Sequence, residues 1–541
     1  MSIIRFFLIV LAISVSLNSR SQSAKSPLSR VINVSSTAQI APSLSGDGRH
    51  MIFTSTSNLK SELLVFYSYQ QRPGKWTQPE PVEAINRSLP INHIGGYSLS
   101  YDGNYIFFTS RRSYGIGKFD IWYSKRTGKN QWAAPVNLAK PVNSTLDDGC
   151  PSLSPDGKTL YFVRCESMDL KEGTNCKLMV AQKRNRELWD EPVALPDHIN
   201  DGNIMSPRIL ADNQTLIYAK GQGDHWDLYQ TRLESGKWSE PIALDYVNTP
   251  GDERFASIPA QGDVMYYSGQ YKGTYDIIRA RIPESLQPLK VVYIKGEVVD
   301  AQDNPLVAFI QVYDVENKKL EQYHRTTQED ATFELYLAAG KEYDFSIVPL
   351  ASGYTFYSEI FDLKALSSST RRKMDIVLNT LDSGVSFPLQ CLKFDNDSTL
   401  SKGSRFELSR IIKLLKNNPG TKVEIAVHRE SWNLDSLAQL DTVAQNVASI
   451  PDDSTHTEEE YAISESSLDI VDTLSVQSEI VVLPPPDPTE VQARVIGSYL
   501  QERGVPDYVM DSKGYADSEP ISTESITEGA PADRRVELRI Q

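Results

Sequence analysis

In the first half of this 541-residue chain, the residue types that could do chemistry recur at intervals instead of converging on one spot. An Asp-Gly pair closes a repeated phrase, written Pro42-Ser-Leu-Ser-Gly-Asp-Gly48, Tyr97-Ser-Leu-Ser-Tyr-Asp-Gly103 and Pro151-Ser-Leu-Ser-Pro-Asp-Gly157. Worn copies follow at Pro207-Arg-Ile-Leu-Ala-Asp-Asn213 and Ala256-Ser-Ile-Pro-Ala-Gln-Gly262. Carboxylates at such regular places would suit calcium, but turn chemistry explains them better: Asp bonds its own backbone two residues on, and Gly tolerates the left-handed conformation. Trp76, Trp132, Trp189 and Trp238 each open a Trp-x-x-Pro phrase. They would stack on sugars if they shared a surface, yet recurrence at one place in a repeat marks packing residues. Cys165 and Cys176 stand at facing ends of two strands and are expected to form a disulfide. Cys150 and Cys391 read as core strand positions.

No catalytic set emerges. There is no Gly-x-Ser-x-Gly elbow, no His-Glu-x-x-His helix and no Gly-rich phosphate loop. Seven histidines leave little for metal or acid–base work. The expectation is a protein without catalytic residues, metal or cofactor. The alternative is an enzyme whose carboxylates converge in the channel of a repeat ring.

The repeated phrase recurs about every 54 residues, the signature of a repeat architecture. After each turn comes a short run such as Met51-Ile-Phe-Thr-Ser55 or Tyr105-Ile-Phe-Phe-Thr-Ser110, apolar, aromatic and too short for a helix. A third strand follows (Phe119-Asp-Ile-Trp-Tyr-Ser124, Trp226-Asp-Leu-Tyr229), and the Trp-x-x-Pro phrase leads a fourth. Four strands per unit make a propeller blade. These phrases resemble the TolB-type, WD-like propeller repeat, which implies a five-bladed propeller over residues 26–287, with six blades as the alternative. The fifth unit lacks its Trp-x-x-Pro strand, and residues 26–33 are expected to supply it and hide the open edges.

Net charge is −15, and residues 430–493 hold no Lys or Arg but about fourteen carboxylates. Acidity argues against nucleic acid as a partner. Arg5 and the apolar stretch Phe6–Leu17 read as a signal peptide over residues 1–21, too short to span a bilayer. No later run is long enough for a transmembrane helix, and no cysteine near the cut offers a lipid anchor.

After Pro283 the pattern changes. Val291–Asp300, Ala308–Tyr313 and Thr332–Leu337 alternate as strands and resemble the carboxypeptidase regulatory-like domain, a β-sandwich expected over residues 290–378. Further on, a strand within Phe387–Phe394, a helix capped near Leu400-Ser401, the phrase Asn418-Pro-Gly…Val423-Glu-Ile-Ala-Val-His428, a helix Val491–Gln501 and Arg534-Arg-Val-Glu-Leu-Arg-Ile540 follow in order. This resembles the C-terminal domain of the outer-membrane protein A (OmpA) family, expected over residues 385–541. An acidic insertion at 438–488 reads as largely without fixed structure. The family binds the diaminopimelate end of the peptidoglycan stem peptide, which carries an ammonium and a carboxylate. The resemblance therefore implies an acid for the first and an arginine for the second. His428, Arg429 and Glu430 fill the acid's place, with Glu430 where the family has Asp. Gln492 stands where the arginine is expected, and Arg494 points elsewhere on the helix. Arg534 and Arg535 read equally as ligand contacts or as fold-stabilising residues. His428 at a strand end reads as structural.

This domain order resembles the PorE-type proteins of Bacteroidetes, which tie the type IX secretion machinery to peptidoglycan. Members also carry a tetratricopeptide array and a lipid anchor, which this sequence does not show. The resemblance implies a non-catalytic scaffold, exported to the periplasm beside the outer membrane. It would hold envelope proteins through its propeller and sandwich and the cell wall through its last module. The alternative is a protein–protein scaffold whose last module has lost the wall.

Overall fold

The computed structural model describes residues 25–541 apart from 58–59, 88–95, 169–172, 185–187, 223–224, 272, 330, 397, 430–486 and 517–533. The expected signal peptide, Glu430 and nearly all of the acidic insertion lie outside the described residues. The chain is mainly β and forms two compact units, Met1–Tyr343 with Phe361–Val377, and Asp344–Ile360 with Leu378–Gln541. No described helix is long and apolar enough to cross a membrane.

The first unit contains five antiparallel sheets in chain order, opening with strands Gln39–Leu44, Tyr97–Leu99, Asp147–Leu153, Ile204–Ile209 and Glu253–Ser257. Each of these strands touches the opening strands of the sheets before and after it, and the fifth touches the first, so the series closes into a propeller-like ring. The Asp-Gly carboxylates are occupied as turn chemistry requires. Ser45 donates to Asp47 at 2.6 Å, and Asp47 accepts from the Arg49 amide at 2.9 Å. Asp102 and Asp156 repeat the arrangement with Asn104 and Lys158.

The fourth strand of the sheets is not continuous. In three sheets Trp-x-x-Pro separates two short pieces, such as Lys75–Trp76 and Glu80–Pro81, both paired to Lys60–Arg72. Proline has no N–H to donate to a ladder, which explains the break. Trp76 and Trp132 are buried, and Trp189 and Trp238 are half-buried against their sheets.

The fifth sheet takes its outer piece from the N-terminal region: Ser26 pairs with Arg279 and Pro27 with Ile278. That strand is shorter than the expected residues 26–33. The chain turns instead, the Ser29 carbonyl accepting from the Ile32 and Asn33 amides. The turn delivers Asn33, whose side chain donates to the Ile277 carbonyl at 2.9 Å and accepts from the Ile277 amide at 3.1 Å. The same two-bond clasp occurs in every sheet: Asn86 on Val65, Asn143 on Ile121, Asn200 on Leu178 and Asn248 on Leu228. Before each Asn stands a buried Ile or Val, residues 32, 85, 142, 199 and 247. A satisfied amide on buried backbone and a fully buried β-branched residue together fix each sheet's third strand.

One end of the ring is covered by the sheet of strands Thr332–Ala338, Val291–Asp300 and Thr370–Leu378, in that order. Val291, Tyr293, Tyr336 and Ala338 pack on Tyr101, Ala211 and Ala260, which belong to the Asp-Gly turns. A Cβ on Gly46 would lie 2.2 Å from the Tyr336 hydroxyl, so only glycine fits there. The hairpin Ala308–Asp314 and Lys319–Arg325 belongs to the same region.

In the second unit, four strands lie in the order Ser386–Pro388, Arg534–Ile540, Val423–Arg429, Met510–Ala516. The central pair is antiparallel and the last pair parallel. Helices Ser404–Asn417 and Pro488–Gln501 cover one face, burying Leu408, Ile411, Ile496 and Leu500 on Ile425, Val427 and Leu538. The first helix begins three residues later than its expected cap, because Leu400 pairs with Phe394 in a small hairpin. Ser404 then donates to the Lys393 carbonyl at 2.6 Å and accepts from its amide at 2.8 Å, tying the helix start to the hairpin. Arg410 from this helix grips Asp344 with two bonds of 2.7 and 2.8 Å and Glu407 at 2.8 Å, all three buried. Burial holds the Glu407 carboxyl above its usual range against the pull of Arg410.

Candidate functional site

Of the residues expected to bind a stem peptide, His428, Arg429, Arg534 and Arg535 lie at one end of the second unit's sheet. Arg429 closes its strand opposite Arg534, which opens the next, and His428 lies opposite Arg535. The parallel partner of His428 is Ala516, whose amide donates to Thr489 Oγ1 at 3.1 Å at the start of the second helix. That helix begins at Pro488, earlier than the expected Val491, because Asp487 caps it by accepting from the Thr489 amide at 2.7 Å. Gln492, one turn in, is only 3 % exposed, whereas Arg494 is exposed. Glu430 lies outside the described residues.

His428 is buried and belongs to a charged layer on the sheet face away from the helices. Its Nε2 lies 3.1 Å from Arg539 Nη2 and 3.7 Å from Glu537, and its ring stacks on Tyr515 at 5.1 Å. Glu424 accepts from the Tyr515 hydroxyl at 2.7 Å and from Lys513 at 3.2 Å. The bond to Glu424 raises the Tyr515 phenol above its ordinary range. Sequence reasoning named His428 but none of its partners. The signal was there in the period-2 alternation of Glu424, Ala426 and His428 with Val423, Ile425 and Val427.

The ring of the first unit has a second candidate, a small central cavity of about 30 Å³, partly open to solvent. Residues 41–43, 96–98, 150–151, 206–208 and 255–256 line it, one piece from each sheet. In each piece the first residue is left-handed: Ala41 (φ 56°), Gly96 (64°), Cys150 (50°), Ser206 (52°) and Phe255 (55°). Four of the five coincide with a register shift in the ladder, a β-bulge that turns the next side chains inward. Serines in three sheets stitch the ring by accepting from the neighbouring strand: Ser43 from the Leu99 amide, Ser152 from Ile209 and Ser257 from Leu44, at 2.8–3.1 Å. No Asp or Glu is among the described lining residues. Cys150 is a buried core strand residue, as expected, and also lines this cavity; burial pushes its thiol up to about 12. Cys165 and Cys176 are joined by a disulfide. Cys391 is buried in the second unit, in a turn and not in a strand.

No family model matches the chain, and no curated protein does. Among solved structures it is similar to TolB from Acinetobacter baumannii, with 14% identity over 45% of this chain and 54% of that one at a TM-score of 0.29. It is also similar to an endo-arabinase from Bacteroides thetaiotaomicron, with 16% identity over 48% and 98% at 0.35. A GH62 α-L-arabinofuranosidase catalytic domain from Coprinopsis cinerea matches with 13% identity over 48% and 96% at 0.33.

Proposed function

We propose that this chain is a non-catalytic scaffold of the cell envelope, exported to the periplasm. In this reading the five sheets are blades of a five-bladed propeller. Residues 290–378 form a regulatory-like sandwich, and residues 385–541 an OmpA-like module that takes the diaminopimelate stem peptide. The propeller and sandwich would hold envelope proteins, those of type IX secretion among the candidates. One observation carries the reading: strand pairing sets Arg429 opposite Arg534 and His428 opposite Arg535 at the sheet end where the second helix starts. Arginine at these positions would suit a carboxylate ligand.

A second reading keeps the scaffold and drops the wall. The buried, uncharged Gln492 favours it, since it leaves the helix without the expected cation. Co-sedimentation of the full chain with diaminopimelate-type peptidoglycan separates the two. Binding that falls severalfold in Arg535→Ala and Glu430→Ala supports a wall anchor. No binding by the unaltered protein selects the protein-scaffold reading.

A further inference from the structure

Arg208 breaks the pattern of the ring. Where three other sheets place a serine that accepts a neighbour's amide, the fourth places a guanidinium that can only donate. Arg208 is 3 % exposed. Its Nη2 donates to the Leu44 carbonyl at 3.0 Å and its Nη1 to the Leu99 carbonyl at 3.4 Å, and its Cζ stands 4.9 Å from the Tyr101 ring centre. Among the described residues it forms no ion pair within 4.0 Å, and its Nε has no hydrogen-bond partner. The Ser98 hydroxyl, lining the same cavity and 4 % exposed, has none either. Leu44 and Leu99 stand one residue nearer the Asp-Gly turns than the cavity-lining Ser43 and Ser98, so the guanidinium closes the cavity's turn-side end. Behind it, Tyr336 caps Tyr101.

A buried cation without a counter-charge is costly, and two neutral carbonyls offset only part of that cost. The remaining lining is neutral and small: Ala, Gly, Pro, Ser, Cys and two aromatic rings. We propose that the ring's central cavity binds one small monovalent anion, a carboxylate or a halide, held by Arg208 and the Ser98 hydroxyl. The anion enters from the side opposite the Asp-Gly turns, because Tyr101 and Tyr336 close the other. One guanidinium matches one negative charge, and the narrow ring of inner strands favours ions of formate or chloride size.

The test is thermal unfolding of the full chain in sodium formate, sodium chloride and sodium gluconate at equal ionic strength. A saturable rise of about 2 °C at ten times the half-saturating concentration is expected with formate, chloride or both, and none with the bulkier gluconate. Formate alone identifies a carboxylate site, and both together a site for any small anion. The rise should vanish in Arg208→Met. Should that variant fail to fold, Ser98→Ala decides: a half-saturating concentration raised about fivefold, the loss of one ordinary hydrogen bond, supports the site. No saturable rise in the unaltered protein, an equal rise in Arg208→Met, or an unchanged half-saturation in Ser98→Ala overturns it and leaves Arg208 as a structural plug.

Discussion

Asn33 holds both main-chain polar groups of Ile277, 244 residues away in sequence, at 2.9 and 3.1 Å. It thereby does for the fifth sheet what Asn86, Asn143, Asn200 and Asn248 do within the other four. The N-terminal region is thus part of the ring's last sheet. Asn33→Ala should cost about 2 kcal/mol, since it leaves the buried Ile277 N–H unpaired and leaves its carbonyl only the Leu28 amide. Urea unfolding measures the loss, and hydrogen exchange should quicken along Thr274–Arg281 more than along Lys177–Gln182. Uniform exchange across the five sheets would contradict a local closing role.

The glycine at 46 sets how closely the covering sheet meets the ring. Gly46→Ala places a methyl 2.2 Å from the Tyr336 hydroxyl and 2.9 Å from Tyr101 Cδ1. It should destabilise by about 1–3 kcal/mol. Combining it with Tyr336→Phe, which removes the clashing oxygen, should recover part of the loss. Simple additivity in this double-mutant cycle would show that the two residues do not press on each other.

Arg410 pairs with both Asp344 and Glu407 in a buried triad. Removing the cation alone strands two carboxylates. Arg410→Met should therefore cost about 3–5 kcal/mol. The triple change Asp344→Asn, Glu407→Gln, Arg410→Met should cost less than the single one. A larger loss in the triple variant would mean that the charges stabilise the unit outright.

His50 accounts for one pH dependence. Burial first, and Arg126 second, lower its imidazole to about 4, while Nδ1 stays 2.8 Å from the Tyr67 hydroxyl. The folded state thus prefers the neutral ring. Its contribution is fully present above the unfolded value near 6.5 and is lost as pH falls from there through about 4. His50→Gln should flatten the stability profile in that window. Titration by NMR should find this ring neutral at pH 5.5, and a midpoint near 6.5 would refute the assignment.

The four cysteines should separate cleanly by reactivity. Cys150 and Cys391 are buried, and burial raises both thiols, so neither should label at pH 8 in the folded protein. Cys165 and Cys176 should resist labelling until reduced. Loss of this short-loop disulfide by Cys165→Ser and Cys176→Ser should lower stability by about 2–3 kcal/mol. Mass spectrometry of the labelled protein reads all four positions.

Much of this architecture is local and so was legible in the sequence. Turn chemistry at Ser45-Gly-Asp47, aromatic strand runs and their regular spacing depend on near neighbours, and they announce a ring of repeated four-stranded units. The alternation in Val423–His428 and the apolar face of Ser404–Asn417 likewise prescribe strand and helix. The Ile-Asn and Val-Asn pairs were visible too, but two residues carry little pattern until their shared partner strand is known. What tertiary structure alone decided were meetings between distant segments. Five left-handed residues, four of them at β-bulges, converge on one cavity, and Arg208 finds Leu44 and Leu99 across the ring. His428 disappears beneath Arg539 and Tyr515. Periodicity fixes which way a side chain points from its own strand. It says nothing of what stands opposite, because that is set by the closure of the ring and the order of strands in the sheet.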